Sequence, residues 1–315
     1  MEHVIRIGVV TAWPEQDWHS KRLLASCARR AEATAIDPAA FGTRVDHDEV
    51  IVLAGGAPAD SFDAFLLARG LGRAGDPDVQ FEIYRALEGT GAMVVNRLEP
   101  LLAAQDKFRT SWLLRLAGVP TPRAAVAQTE EDAELALEEL GEAVAKPLAG
   151  SLGDGVERVR ADAAGRERIR ERVAREGAIY LQAWVPHPGR DLRVFVVGGR
   201  ARAAIARHAP AGEWRTNVAR GARTEPFPLR RKLAATAEAA ALALGLDYAG
   251  VDLVPTGAGA TVLEVNGNPS WRGILQATGL DMAEVIAEHV LGRALRRHRS
   301  SDHIVLQEST GAIHG

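Results

Sequence analysis

The chain of 315 residues contains a single cysteine, Cys27. An intrachain disulfide is impossible, and a zinc site built on thiolates lacks its ligands. The nine histidines show no metal-ligand spacing such as His-x-x-x-His. No run approaches the ~18 uninterrupted apolar residues of a membrane helix. The segment Met1-Glu2-His3-Val4-Ile5-Arg6 has no signal-peptide profile and leads straight into an apolar strand pattern, so the expected location is the cytoplasm. No Gly-Lys-Ser/Thr opens a helix after a glycine loop, which excludes a Walker P-loop. No Cys/His or Ser/His arrangement suggests a covalent nucleophile. Lysine is scarce too. It occurs only at Lys21, Lys107, Lys146 and Lys232, beside 34 arginines. Coding bias explains such a background. A position that needs a compact ammonium on a flexible stem nevertheless resists replacement by the larger planar guanidinium.

What is present describes a soluble globular protein. Hydrophobic residues make up 47% and charged residues 25%, and the formal net charge is -3. That balance excludes a nucleic-acid binder held by bulk charge. The length suits two or three packed lobes. Residues 4–10, 34–37, 50–53, 62–67 and 92–96 read as strands. Helical patterns at 21–30 and 79–88 alternate with them, which predicts a parallel α/β sheet near the N-terminus. A long helix is expected over 101–116, ended by Gly118 and Pro120. Another opens at the N-cap Thr129, with Asp132 at capping-box spacing. Two strand-like runs between 144 and 159 flank the segment from Ala149 to Gly155, which holds Gly150, Gly153 and Gly155. Further strands are expected at 179–185, 191–197 and 201–207, with helices at 165–176, 229–244 and 282–291. The segment 297–315 reads as a disordered polar tail.

Chemistry concentrates in the second half. A hairpin centred on Ala258 sets Pro255 opposite Thr261 and Asp252 opposite Glu264, and Asn266 shares their face. Two opposed acids without a cation repel each other. A divalent metal with oxygen ligands supplies the natural counter-charge, and Mg²⁺ bridging to phosphates fits the set. The plain alternative is an exposed polar face that tolerates an acid pair. Lys146 ends an apolar strand just before the glycines. Their backbone N–H groups can approach a polyanion, and Ser151 adds a hydroxyl. By itself this segment is equally readable as a β-turn. Asp191 and Arg193 share a strand face. Arg215 and Asn217 lie in a polar loop with Trp214, where Arg215 can pair with a phosphate or carboxylate. Each of these also reads as a solvated salt-bridge partner, and Lys107 as a surface helix lysine.

In this order the elements resemble the ATP-grasp superfamily, and within it the RimK-like α-L-glutamate ligases. The resemblance runs from about Asn96 to Leu291 and includes Asp106-Lys107, Lys146, Gly150 to Gly155, Gln182-Ala183-Trp184-Val185, Asp191-Leu192-Arg193, Arg215-Thr216-Asn217, Asp252 and Glu264-Val265-Asn266. It implies an ATP-grasp fold of α+β lobes with an N-terminal parallel α/β domain. The domains would be residues 1–96, a central lobe 97–185, a metal-bearing lobe 186–296 and the tail. It further implies that Lys107 and Lys146 hold ATP phosphates beneath the loop of Ser151 and Leu152. Gln182, Trp184 and Val185 would meet adenine, and Asp191 the ribose. Asp252, Glu264 and Asn266 would hold Mg²⁺, as two ions replaceable by Mn²⁺. Arg215 and Asn217 would face the reacting phosphoryl group. Ala183 departs from the family, where Glu is frequent.

The implied activity is ATP-dependent joining of a carboxylate to an amine through an acylphosphate. L-glutamate would be added to a small-molecule acceptor, with a pterin-type cofactor as one candidate, or to a peptide. Arg193 and Arg272 are candidates for the substrate carboxylate. Trp271 could stack on a ring or pack in the core, and Trp13, Trp18 and His19 could border the acceptor. Another amino-acid ligase, of dipeptide or carrier-protein type, and a non-catalytic nucleotide-binding regulator are the alternatives. A homo-oligomer is plausible by resemblance; nucleic-acid and membrane partners are not expected.

Overall fold

The structure, a computed structural model, describes residues 4–73, 75–148, 155–187, 189–216, 221–257 and 259–311, with side chains to residue 299. The chain divides into two compact units, Met1–Leu98 with Asp281–Gly315, and Glu99–Leu280. None of the described helices is long and apolar enough to cross a membrane.

The first unit is built on β1 (Arg6–Thr11), whose apolar run is buried on both faces, as a central parallel strand requires. Helix α1 (Trp18–Ala28) starts where the Asp17 carboxylate accepts the Ser20 N–H at 2.7 Å. Then come β2 (Glu32–Ile36) and a small antiparallel meander of β3 (Phe41–Asp46), β4 (Glu49–Ala54) and β5 (Ala57–Pro58). Strand β6 (Ala64–Arg69), helix α2 (Pro77–Gly89) and β7 (Val94–Val95) complete a parallel sheet of order β2-β1-β6-β7. Of the meander, the sequence pattern suggests only the stretch that becomes β4. Its partner β3 is too exposed to show an apolar alternation.

The second unit opens with α3 (Leu98–Gln105) and α4 (Lys107–Leu116). One helix is expected here, but the chain breaks at Asp106. Its carboxylate accepts the Arg109 N–H at 2.8 Å and caps a new helix, which makes Lys107 the first residue of α4. Next are β8 (Ala124–Ala127), α5 (Glu130–Leu140), β9 (Glu142–Lys146), β10 (Glu157–Arg160), α6 (Ala163–Glu176) and β11 (Ile179–Ala183). Thr129 caps α5 as expected, accepting the Asp132 N–H at 3.1 Å, while its hydroxyl, not its backbone N–H, donates to the Asp132 carboxylate at 2.9 Å. The strands form an antiparallel sheet of order β10-β9-β11-β8. Helices α5 and α6 lay Ala133, Leu137, Ile169 and Val173 on it.

The second sheet, β14-β13-β12-β15-β16, is antiparallel throughout. It comprises β12 (Arg190–Val197), β13 (Arg200–His208), β14 (Arg223–Pro226), β15 (Tyr248–Thr256) and β16 (Gly259–Asn266). Helix α7 (Arg231–Ala243) packs on it with Ala237, Ala240 and Ala241, all without exposed surface. Helix α8 (Arg272–Thr278) follows. Trp271, at the start of α8, is 1% exposed and meets Phe195 edge-on. It is a core side chain, not a stacking platform. The last helix, α9 (Met282–Gly311), extends well past the expected end at Leu291 into the stretch read as a tail. It returns to the first unit, where Glu284 accepts from Ser26 at 2.8 Å and Arg30 at 2.9 Å.

Glycine is sterically required where α6 begins. A Cβ at Gly165 would lie 1.9 Å from the Arg160 carbonyl oxygen, a backbone atom that cannot step aside. Gly165→Ala is therefore expected to destabilise the protein by about 1–3 kcal/mol despite alanine's better helix propensity. Urea unfolding of the full chain measures it.

Candidate active site

Strand β9 brings Lys146 to the site and helix α4 brings Lys107. Lys146 ends β9, paired with Tyr180 of β11. Gln182 lies two residues on, on the same face. Lys146 Nζ donates to Gln182 Oε1 at 2.7 Å. The Tyr180 hydroxyl meets Ser111 Oγ at 2.8 Å. Ser111 sits one turn beyond Lys107 on α4, so this contact helps to place that helix. Lys107 Nζ lies 3.4 Å from the Leu148 carbonyl oxygen. Burial lowers the Lys146 pKa; the Glu264 charge opposes that shift, Lys107 adds to it and Asp252 opposes it. Burial also lowers the Lys107 pKa, against Glu264 and Asp106. Two ammonium groups and the Glu264 carboxylate thus share one electrostatic neighbourhood. An anion carrying several charges would relieve the repulsion between the lysines.

The neighbouring sheet carries a buried chain of charges. Arg193 of β12 holds Asp252 of β15 in a two-pronged pair, both contacts 2.7 Å. Arg207 of β13 grips Asp191 through Nε at 2.7 Å and through Nη2, and Nη2 also lies 3.0 Å from Asp252 Oδ2. The Thr216 hydroxyl donates to Asp191 at 2.5 Å. Asp191, Arg207 and Asp252 are 3%, 4% and 5% exposed. Burial by itself would raise the Asp252 pKa, but Arg193 and Arg207 outweigh it and hold the carboxyl below its usual range.

Asp252 does face Glu264, as the hairpin predicts. A register shift between Asp252 and Leu253 makes this so. Beyond it Pro255 faces Ala260, not Thr261. The acid pair is not left to a metal alone, because Arg193 and Arg207 supply the first counter-charge. Three of the roughly four acceptor positions on Asp252 are engaged by them. Asn266, with its amide nitrogen toward Glu264, reaches Oε1 at 3.3 Å and accepts from Arg193 at 3.2 Å. Among the described residues no three His, Cys, Asp or Glu gather as a metal centre. Two carboxylates and a carboxamide still fit a hard cation that keeps part of its water, as Mg²⁺ does.

The other predicted residues fall as follows. Asp191 has both carboxylate oxygens engaged and is buried, so it anchors Arg207 rather than facing open space for a ribose. Arg193 is committed to Asp252. Arg215 pairs with Glu213 at 2.7 Å and donates to the Val156 carbonyl at 3.3 Å, at the end of the glycine segment. Arg215 side-chain and backbone donors hold Glu213 down to about 2. The Trp184 N–H is taken by the Glu142 carbonyl. Its indole lies under Arg158 at 4.1 Å and meets Trp214 edge-on. Val185 is half-buried and Arg272 exposed. Ser151, Leu152 and Asn217 lie outside the described residues. Trp13, Trp18 and His19 belong to the first unit, where buried His19 sits 3.3 Å from Asp17. Sequence reasoning missed Arg207, Tyr180 and Ser111, and it quoted Thr216 only as part of the Arg215-Thr216-Asn217 run, without its bond to Asp191. Only Arg207 left a signal, as a cation at the end of the apolar run Ala203-Ala204-Ile205-Ala206.

This fold, with Lys146 on one antiparallel sheet, Lys107 at a helix start and the acids on a second antiparallel sheet, is that of ATP-grasp enzymes. Residues 104–290 match the family described as the RimK-like ATP-grasp domain, more than half of the chain. The tetrahydromethanopterin:alpha-L-glutamate ligase of Methanosarcina acetivorans is 33% identical, over 90% of this chain and 98% of that protein. A probable alpha-L-glutamate ligase of Thioalkalivibrio sulfidiphilus is 36% identical, over 69% of this chain and 73% of that protein. The ATP-grasp ligase PsnB, solved with a minimal precursor, Mg and ADP, superposes with a TM-score of 0.71 at 20% identity, covering 91% of this chain and 97% of that one. The chain belongs to the RimK-like ATP-grasp family, and it is an ATP-dependent ligase that forms carbon–nitrogen bonds.

Arg207 reaches no open surface, yet two carboxylates depend on it. Arg207→Leu would leave both acids buried with part of their counter-charge gone. The expected loss is about 3–5 kcal/mol, read as a fall in the urea midpoint. A loss below 1 kcal/mol would mean that Arg193 and Thr216 suffice.

Proposed function

We propose that this ligase adds L-glutamate to a carboxylate on a small acceptor of pterin type. The near full-length match to the tetrahydromethanopterin:alpha-L-glutamate ligase carries this reading, since it extends across both units. The acceptor carboxylate attacks the γ-phosphate of ATP, giving an acylphosphate and ADP. The glutamate amine then attacks that carbonyl, loses a proton and expels phosphate. Lys107 and Lys146 hold the phosphates as point charges. Glu264 and Asn266, with the acceptor position remaining on Asp252, would hold Mg²⁺. When bound, the ion would neutralise charge on the transferring phosphoryl group. Arg215 can turn from Glu213 toward that group, and Arg272, exposed at the start of α8, would meet a substrate carboxylate. Val185 and the Trp184 indole border the adenine position. Positioning and electrostatics supply the catalysis, so no covalent enzyme intermediate is needed.

The experiment is ADP release by the full chain with Mg-ATP, a panel of amino acids and a panel of acceptors that includes reduced pterins bearing a carboxylate. Glutamate-dependent release, with a product heavier by one glutamyl unit, is the expected result. Release that depends on another amino acid would replace glutamate and leave the ligase chemistry standing. Glu264→Gln is expected to abolish turnover with the fold intact by circular dichroism. Lys146→Arg should lower kcat/KM for ATP about 10- to 100-fold although the charge is kept, because the planar fork cannot take the ammonium's place. Near-normal kinetics in Lys146→Arg would remove Lys146 from the phosphate site.

A further inference from the structure

Gln182 has a double engagement that an adenine-contacting residue does not require. Its side chain is buried, 2% exposed. The amide oxygen accepts from Lys146 Nζ at 2.7 Å, and the amide nitrogen donates to the Leu263 carbonyl at 3.2 Å. The second contact has a structural reason. Asp252 pairs with Glu264 while Leu253 pairs with Val262, so Leu263 is the extra residue of a bulge in β16. A bulged residue falls out of the regular ladder, and its carbonyl here takes its donor from the Gln182 side chain. The same bulge lets Asp252 oppose Glu264. One planar amide therefore links the lysine at the end of β9 to the backbone next to Glu264.

We propose that Gln182 is a positioning residue for ATP use, fixing the Lys146 ammonium relative to the strand that carries Glu264. The proposal rests on the reading of Lys146 as a phosphate ligand. Gln carries a separate uncharged acceptor and donor on one planar amide, and Asn, the other residue built this way, is one methylene short. Leu can do neither task. Glu can accept from Lys146 but, when ionised, cannot donate to Leu263. The two hydrogen bonds can thus be separated by substitution.

The test measures MgADP binding by calorimetry and steady-state kinetics on the full chain, for the wild type, Q182L, Q182E, K146Q and the double variant K146Q/Q182L. Q182L is expected to lose about 10- to 100-fold in MgADP affinity and in kcat/KM for ATP, the effect of losing a hydrogen bond to a charged group. KM for the amine should stay unchanged. Q182E should bind MgADP within about threefold of wild type, since the lysine keeps its acceptor, while its melting temperature falls because Leu263 loses its donor. The double variant should bind no worse than K146Q, because the two residues act as one unit. If Q182L and Q182E lose affinity equally and in step with stability, Gln182 is merely a structural link and the proposal fails. Loss in K146Q with none in Q182L overturns the proposal but keeps Lys146 as a phosphate ligand. Unchanged affinity in K146Q overturns the reading beneath both. Should Q182L not fold, the comparison of Q182E with K146Q decides: affinity as low as that of K146Q overturns the proposal.

Discussion

The alternation Asp191–Arg207–Asp252–Arg193 is the constraint on which the second unit depends. Four charges leave water together, and any one of them alone would be costly to bury by several kcal/mol. They are tolerated because each guanidinium meets its carboxylate through two nitrogens. That geometry demands register. Arg207 must oppose Asp191 across β12 and β13, and Arg193 must oppose Asp252 across β12 and β15, as they do. A slip of one residue on either strand would turn its charge to the other face of the sheet. Such an array adds little net stability compared with a hydrophobic core. Its effect is to admit one pairing of three strands and penalise the others.

Once that pairing holds, the rest of the site is placed by short-range steric facts. Gly250 faces Asn266 at the end of the β15–β16 ladder, and a Cβ there would come within 2.7 Å of Pro269. The close approach seats the chain that leaves β16 against β15. The bulge at Leu263 brings Glu264 opposite Asp252 despite the turn that precedes it. Tyr180 and Gln182, on one face of β11, then support the two lysines by different routes. One acts through Ser111 on α4, the other through the ammonium itself.

Much of this was legible in the sequence, for physical reasons that can be stated. A strand pattern interrupted by an acid, opposite another acid across a short turn, gives both the hairpin and its polar face. The Thr129 cap, the parallel N-terminal sheet and the order of charged motifs were equally local signals. What stayed hidden depended on pairing between distant strands. Nothing near Asp191 says that Arg207 will consume its carboxylate, because that follows from the β12–β13 register. Nothing near Asp252 says that two arginines will answer its charge before any metal does. The break at Asp106 was masked by continuous helical spacing on either side, although a capping aspartate was there to be read. The return of α9 to the first unit rests on Arg22 and Arg30 meeting Asp281 and Glu284, contacts across about 250 residues of sequence.

The scarcity of lysine acquires a structural meaning in this light. Arginine dominates the basic residues, and where the site needs a planar fork it has one: Arg193 and Arg207 each engage a carboxylate with two nitrogens, which an ammonium cannot do. Lys107 and Lys146 occupy the opposite situation. They lie close enough to feel each other's charge, half-buried, with a carboxylate nearby. Two guanidiniums there would need more room and more acceptors than the Gln182 amide and the Leu148 carbonyl provide. Lys21 is 3.6 Å from Glu15, and Lys232 lies in the first turn of α7, places where arginine would serve as well. The chain thus separates its cations by geometry. Forks lock strands together through carboxylates, and point charges are kept where a multiply charged anion can displace their mutual repulsion.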